Sequence, residues 1–210
     1  MEAGDAAEHI AEAGEGGAAD DKFRSRVALL IAFMAMLLAI TSLGGGNVAE
    51  DMFNNNIQAS DTWSFYQAKN IRQTGYRLAA EELESELAMH GDSLKPEVRQ
   101  GVEDKIKTYR ETAARYESEP DEKEPDNPLR GEGKKQLAAR AQDFVAQRER
   151  AQRQDPNFDF AEALFQIAIV LASVAILANS RAVVFGSVAA GALAFVLMLN
   201  GFFLLVNLPF

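Results

Sequence analysis

Apolar residues in this chain gather into three long runs, Val27–Leu43, Phe160–Ala178 and Ala182–Val206, which carry almost no charge. A helix rises about 1.5 Å per residue and a hydrocarbon core is about 30 Å thick, so a crossing needs about 20 apolar residues. The second and third runs meet that length. The first is shorter, but Gly44–Gly46, Val48 and Ala49 extend it at little cost. The buried helix of a water-soluble protein normally keeps a polar face, and Ala182–Val206 has none beyond Ser187 and Asn200. The pattern predicts transmembrane helices over 22–48, 158–178 and 182–206, with the last two closed into a hairpin by Asn179, Ser180 and Arg181.

Between the first run and the hairpin lies a polar stretch, 49–157, with the periodicity of amphipathic helices. A first helix is predicted over Ala49–His90. On it Phe53, Ile57, Ala68, Ile71, Gly75 and Leu78 form one stripe, with Trp63 and Tyr66 about 110° away. It reads as a continuation of the first span, with a kink expected at Gly44-Gly45-Gly46. Gly91–Pro96 is a turn, and Pro96 suits the first position of a second helix running to Ser118. That helix shows Val98, Val102, Ile106, Tyr109, Ala113 and Tyr116 at spacings of three and four. Pro120, Pro125 and Pro128 among acids mark 119–133 as an exposed, mobile loop. A third helix, Lys134–Gln154, carries Leu137, Ala141, Phe144 and Val145 on one side. Asp155-Pro156 has the composition of a helix restart, with Asp as N-cap. The expected fold class is therefore all-α: a membrane protein with three transmembrane helices and a long-helix extramembrane bundle, a helical hairpin plus a third helix. The stripes are narrow, and a thin core favours coiled-coil pairing with copies of the same chain.

Charge adds orientation. The 210 residues carry a net charge of −10, shared between an acidic tail (1–21) and the polar middle. The tail is rich in Ala, Gly and acids and lacks Lys or Arg before Lys22, so it reads as disordered and not as a secretory signal. Lys22, Arg24 and Arg26 precede the first span and Arg181 sits in the hairpin turn. The positive-inside rule then puts the N-terminus in the cytoplasm and 49–157 outside, which in a bacterium is the periplasm. Arg140, Arg148, Arg150 and Arg153 argue the other way, but a long loop counts for little in this rule. The acidic balance argues against a nucleic-acid partner.

Candidate chemistry is sparse. There is no cysteine, and His9 and His90 stand apart, so thiolate chemistry is excluded and neither a metal site nor a catalytic triad is expected. Gly44-Gly45-Gly46 lacks the spacing and following Lys of a phosphate loop. Glu81, Glu82, Glu84 and Glu86 read as a solvated helix face. Among the polar residues inside the apolar runs, Glu162, Gln166 and Asn200 are the ionisable and amide groups. Polar groups at membrane depth are functional candidates by default. Against that, Asp159-Phe160-Ala161-Glu162 has the spacing of a capping box, and Gln166 and Asn200 suit hydrogen bonds between helices. Ala182, Gly186, Ala190 and Ala194 recur every four residues, a spacing that lets helix backbones approach closely within the hairpin or between subunits.

Two stretches, Ala59–Gln73 and Leu164–Ile169, resemble a bacterial family of small membrane proteins known as a domain of unknown function. The resemblance covers most of 20–205 and implies a bacterial membrane origin without assigning an activity. Gly75 and a hairpin turn with a single Arg depart from the family's pattern. Within the first stretch Trp63, Tyr66, Gln67 and Asn70 mix aromatic area with hydrogen-bonding groups, flanked by Lys69 and Arg72. Such a surface suits subunit or partner contact, or packing inside the bundle. The expectation is a homo-oligomeric scaffold or accessory subunit of the bacterial inner membrane. It has no catalytic activity and no cofactor, and its partners are the lipid bilayer, copies of itself and an unidentified membrane protein. The alternative is an oligomeric pore or transport-associated protein lined by Glu162, Gln166 and Asn200.

Overall fold

A computed structural model describes residues 21–207, with the first helix assigned from Ala3. The expected disordered tail therefore lies outside the described residues, apart from Asp21. The elements in order are α1 (Ala3–His90), a single 3-10 turn (Gly91–Ser93), α2 (Pro96–Glu117), α3 (Lys134–Ala178) and α4 (Arg181–Phe203). There is no strand among the described residues, and three helices are long and apolar enough to cross a membrane. The chain divides into two compact units, 1–51 with 150–210 and 52–149, to both of which α1 and α3 contribute.

The first unit is a three-helix bundle. Its inward positions recur at spacings of three and four, the seam of helices that pack knobs into holes. They are Val27, Met34, Leu37, Thr41 and Gly44 on α1, then Phe158, Ala161, Phe165, Ala168, Ala172 and Ala175 on α3. On α4 they are Ser187, Gly191, Ala194, Met198 and Gly201. The alanines of α3 admit close neighbours. Ser187 donates to the Ala168 carbonyl at 2.7 Å, a cross-helix hydrogen bond that satisfies a buried hydroxyl. Large apolar side chains such as Leu29, Phe33, Leu177 and Phe185 point outward.

Two boundaries differ from the sequence expectation. No interruption occurs at Gly44–Gly46, where Gly44 and Gly45 make room for an aromatic side chain. A Cβ at Gly44 would stand 2.7 Å from Phe158 Cε1 and 2.8 Å from Phe202 Cζ, while one at Gly46 meets nothing. Nor does a helix restart at Asp155-Pro156. Pro156 lies inside α3, so neither the Asp155 cap nor the Asp159–Glu162 capping box forms. Proline removes one amide donor from the ladder. One residue on, the Asn157 amide donates to the Arg153 carbonyl at 2.9 Å, and burial of Ala151, Phe158 and Ala161 holds the helix together on either side.

The second unit packs 52–90 of α1 against α2 and the start of α3. Pro96 occupies the predicted first turn of α2. Ile106 and Ala113 of α2 and Leu137 and Ala141 of α3 are buried, as their periodicity predicts. On α1 the inward stripe is different from the one predicted. It runs Ala59, Thr62, Tyr66, Lys69, Gln73, Tyr76, Ala80, Leu83 and Leu87, again at spacings of three and four. The predicted stripe faces outward, with Ile71 72% and Leu78 59% exposed. A search for apolar residues alone selects the wrong face, because the centre of the true seam is polar.

The 119–133 segment, expected to be mobile, is tied down. Glu132 and Gly133 donate backbone N–H groups to the Glu119 carbonyl at 2.9 and 3.4 Å. Arg140 reaches in from α3 and donates to the carbonyls of Leu129 and Gly131 at 2.9 and 2.7 Å. Gly131 has φ +102°, and a Cβ there would collide with the Glu119 carbonyl oxygen.

Candidate functional site

The polar centre of the second unit is built around two buried lysines. Lys69 of α1 stands 3.4 Å from both Glu119 and Glu132, at the two ends of the tied loop. Its ammonium also lies over the rings of Phe65 and Tyr116, 5.2 and 5.7 Å from the centroids. One turn along α1, the buried Gln73 amide nitrogen donates to the Ala113 carbonyl and to Glu117, both at 2.9 Å. Its carbonyl oxygen accepts from Lys134 of α3 at 2.7 Å. Lys134 completes the group with Glu117 at 3.4 Å and the Tyr66 ring at 5.5 Å. Gln73 thus joins α1, α2 and α3 through one side chain. The hydrogen bond from Gln73 and the attraction of Lys134 and Arg77 hold the Glu117 carboxyl below the usual glutamate range, against a smaller opposing effect of burial.

In the first unit a second polar centre sits where the three helices meet Pro156. Asn200 of α4 donates to Asn157 of α3 at 2.8 Å and to the Val206 carbonyl at 2.9 Å, and accepts from the Val206 amide at 2.8 Å. Leu204, in the left-handed region at φ 48°, lets the chain fold back onto Asn200. Beside this pair Gln154 donates to the Gly201 carbonyl at 2.9 Å. The Phe158 ring packs edge-on against Phe202 with centroids 4.9 Å apart. Just before the apolar run, burial and then the neighbouring Asp159 push the Asp155 carboxyl up.

These geometries serve fastening. Both buried lysines are engaged by carboxylates or an amide oxygen, and the amides of Gln73 and Asn200 are fully occupied. Among the described residues no group of three His, Cys, Asp or Glu is placed to hold a metal ion.

The residues singled out by sequence are divided by the structure. Trp63 and Tyr66 are half-buried and meet edge-to-face at 5.4 Å, and Lys69 is buried. Gln67, Asn70 and Arg72 are exposed, so the six do not form one surface. Gln73, Glu117, Glu119, Glu132 and Lys134 were missed. The available signal was the Lys69–Gln73 spacing of four in register with Thr62 and Tyr66. Of the four small residues singled out on α4, only Ala194 is buried. Ala190 is half-buried, whereas Ala182 and Gly186 are exposed and a Cβ at Gly186 meets nothing within 4 Å. Contact inside the bundle uses the neighbouring stripe Ser187–Gly191–Ala194 instead. Of Glu162, Gln166 and Asn200, the last is consumed inside the bundle. Glu162 is half-buried and Gln166 exposed, one turn apart on α3, and neither has a hydrogen bond or ion pair among the described residues.

The fold and its two polar centres define an all-α protein with three helices long and apolar enough to cross a membrane and a helical unit knit by part-buried ion pairs. The chain belongs to the family described as Domain of unknown function (DUF4337), matched over residues 23–204. No curated protein and no solved structure matches it.

Proposed function

We propose that this chain is a homo-oligomeric protein of the bacterial inner membrane that acts as a scaffold or accessory subunit and has no catalytic activity of its own. Membrane residence is supported by the outward apolar side chains of all three long helices. The N-terminus is cytoplasmic and 49–157 periplasmic, on the strength of Lys22, Arg24, Arg26 and Arg181.

The observation that carries self-association is Gln166. An amide on the outer face of an apolar helix, without a partner, is costly in lipid and is satisfied by a neighbouring helix. Glu162 lies one turn away and adds to the same stripe. In the second unit the exposed Ala68, Ile71, Gly75 and Leu78 supply a further narrow apolar seam at spacings of three and four. Native mass spectrometry in detergent tests the reading. A discrete oligomer is expected, shifted to smaller species by Gln166→Leu. A clean monomer with no co-purifying partner refutes it.

The same Glu162–Gln166 stripe favours a second reading, a pore between subunits. Liposome flux decides: flux abolished by Glu162→Ala and Gln166→Ala supports the pore, and no flux in the parent protein removes it.

A further inference from the structure

Where α1 and α4 begin their apolar runs, the first unit holds a cavity of about 410 Å³ lined by Lys22, Phe23 and Arg26 of α1 and Arg181, Val184 and Phe185 of α4. The two helices run side by side in the same direction. Met34 packs on Gly191, and Gly44 lies against Phe202 further along. This register places Lys22 and Arg26, one helical turn apart, opposite Arg181. None of the three cations forms an ion pair or hydrogen bond among the described residues. Asp21 is the only acid in 21–30 and 178–188. The cavity therefore combines three cations, unpaired among the described residues, with an apolar wall of Phe23, Val184 and Phe185, at the level where each apolar run starts.

We propose that this cavity binds the phosphate headgroup of an anionic phospholipid, with an acyl chain along Phe23, Val184 and Phe185. The proposal rests on membrane residence but not on self-association. An arginine guanidinium matches a phosphate through paired N–H donors, and a lysine adds a point charge. The first turn of α4, where Ser180 makes no side-chain cap, adds the positive end of its helix dipole. Basic pockets between membrane helices are recognised sites for anionic headgroups. A soluble anion would use the cations but leave the apolar wall open to water, and a zwitterionic lipid would bring its own cation into a basic site. Both fit less well.

The full chain is reconstituted in nanodiscs holding equal phosphatidylglycerol and phosphatidylcholine, and retained lipid is read by native mass spectrometry. Flotation with pure phosphatidylcholine vesicles is measured in parallel, so that failure of membrane residence shows separately as protein that does not float. With three lining cations at roughly fivefold each, retained phosphatidylglycerol is expected to exceed phosphatidylcholine about 100-fold. Each cation near an anionic headgroup is worth roughly a fivefold change in occupancy, so Arg26→Gln with Arg181→Gln is expected to lower the preference about 25-fold, toward parity. Arg24→Gln, which removes one charge outside the cavity and is compared with Arg26→Gln alone, should leave the preference unchanged. Equal retention of the two lipids overturns the proposal. So does an Arg24→Gln effect as large as that of Arg26→Gln, which would mean diffuse surface charge. Displacement of the retained lipid by millimolar glycerol phosphate would show a plain anion site and overturn the lipid assignment.

Discussion

The Gly44–Phe158 contact makes the sharpest quantitative prediction. An alanine at Gly44 brings its Cβ to 2.7 Å from Phe158 and 2.8 Å from Phe202, about 1 Å inside ordinary carbon–carbon contact. The ring has no easy retreat. Phe158 is 1% exposed, and its far side faces Gly201, where an added Cβ would stand only 2.9 Å away. Overfilling a packed site of this kind costs about 1–3 kcal/mol. Replacing a mid-helix glycine by alanine also returns about 0.5–1 kcal/mol of backbone entropy, but that gain is common to Gly44→Ala and Gly46→Ala. The difference between the two variants isolates the steric cost. Gly44→Ala is expected to be less stable than Gly46→Ala by about 1–3 kcal/mol. The assay is SDS titration in mixed micelles followed by far-ultraviolet circular dichroism. If the glycines served only to loosen the helix, the two substitutions would act alike, so equal stabilities refute the packing account. Adding Phe158→Leu to Gly44→Ala should recover part of the loss, a coupling of at least about 0.5 kcal/mol in a double-mutant cycle.

Trp63 is the single tryptophan, and its fluorescence reports on the second unit. Gln73→Leu strips Lys134 of its 2.7 Å acceptor and Glu117 of a donor, and should lower urea stability by about 1–3 kcal/mol by that probe; an unchanged midpoint counts against the buried polar centre. Arg140→Ala removes the two hydrogen bonds by which α3 reaches into the loop, so limited proteolysis within 119–133 should quicken severalfold while the urea midpoint moves little; an unchanged cleavage rate refutes that role. Two carboxyls give opposite acid responses. Glu117, held low, stabilises the fold above the ordinary glutamate range of about 4.3, and that contribution is lost as pH falls through its depressed value, weakening the Trp63 signal in acid. Asp155, pushed up, costs stability when ionised, a cost relieved as pH falls through its raised value and gone below about 3.9. Asp155→Asn should therefore raise the melting temperature at pH 7 and give no gain near pH 3; a loss at pH 7 would sink the assignment.

Much of the architecture was legible in the chain. Three apolar runs with almost no charge predicted three helices fit to cross a membrane, because length and composition alone decide whether a helix suits lipid. Pro96 and the Val102–Ile106–Ala113 spacing located α2, since proline and period act locally. Four things were decided only by packing. Gly44 reads as a weak point until the Phe158 ring fills it. Asp155-Pro156 reads as a helix start until burial on both sides and the Asn157 hydrogen bond carry α3 through. The Ile71–Leu78 stripe reads as core until Lys69 and Gln73 turn inward. Gly186 reads as a contact until the bundle closes on Gly191, five residues along. In each case the local preference is small, about 1 kcal/mol per residue and about 3 kcal/mol for Pro156, and cooperative burial across several helices outweighs it. A polar residue's place in a core depends on partners far along the chain, such as Lys134 for Gln73 or Asn157 for Asn200. Sequence alone set the helical, lipid-suited character of the chain; tertiary contact chose which face of each helix turned inward.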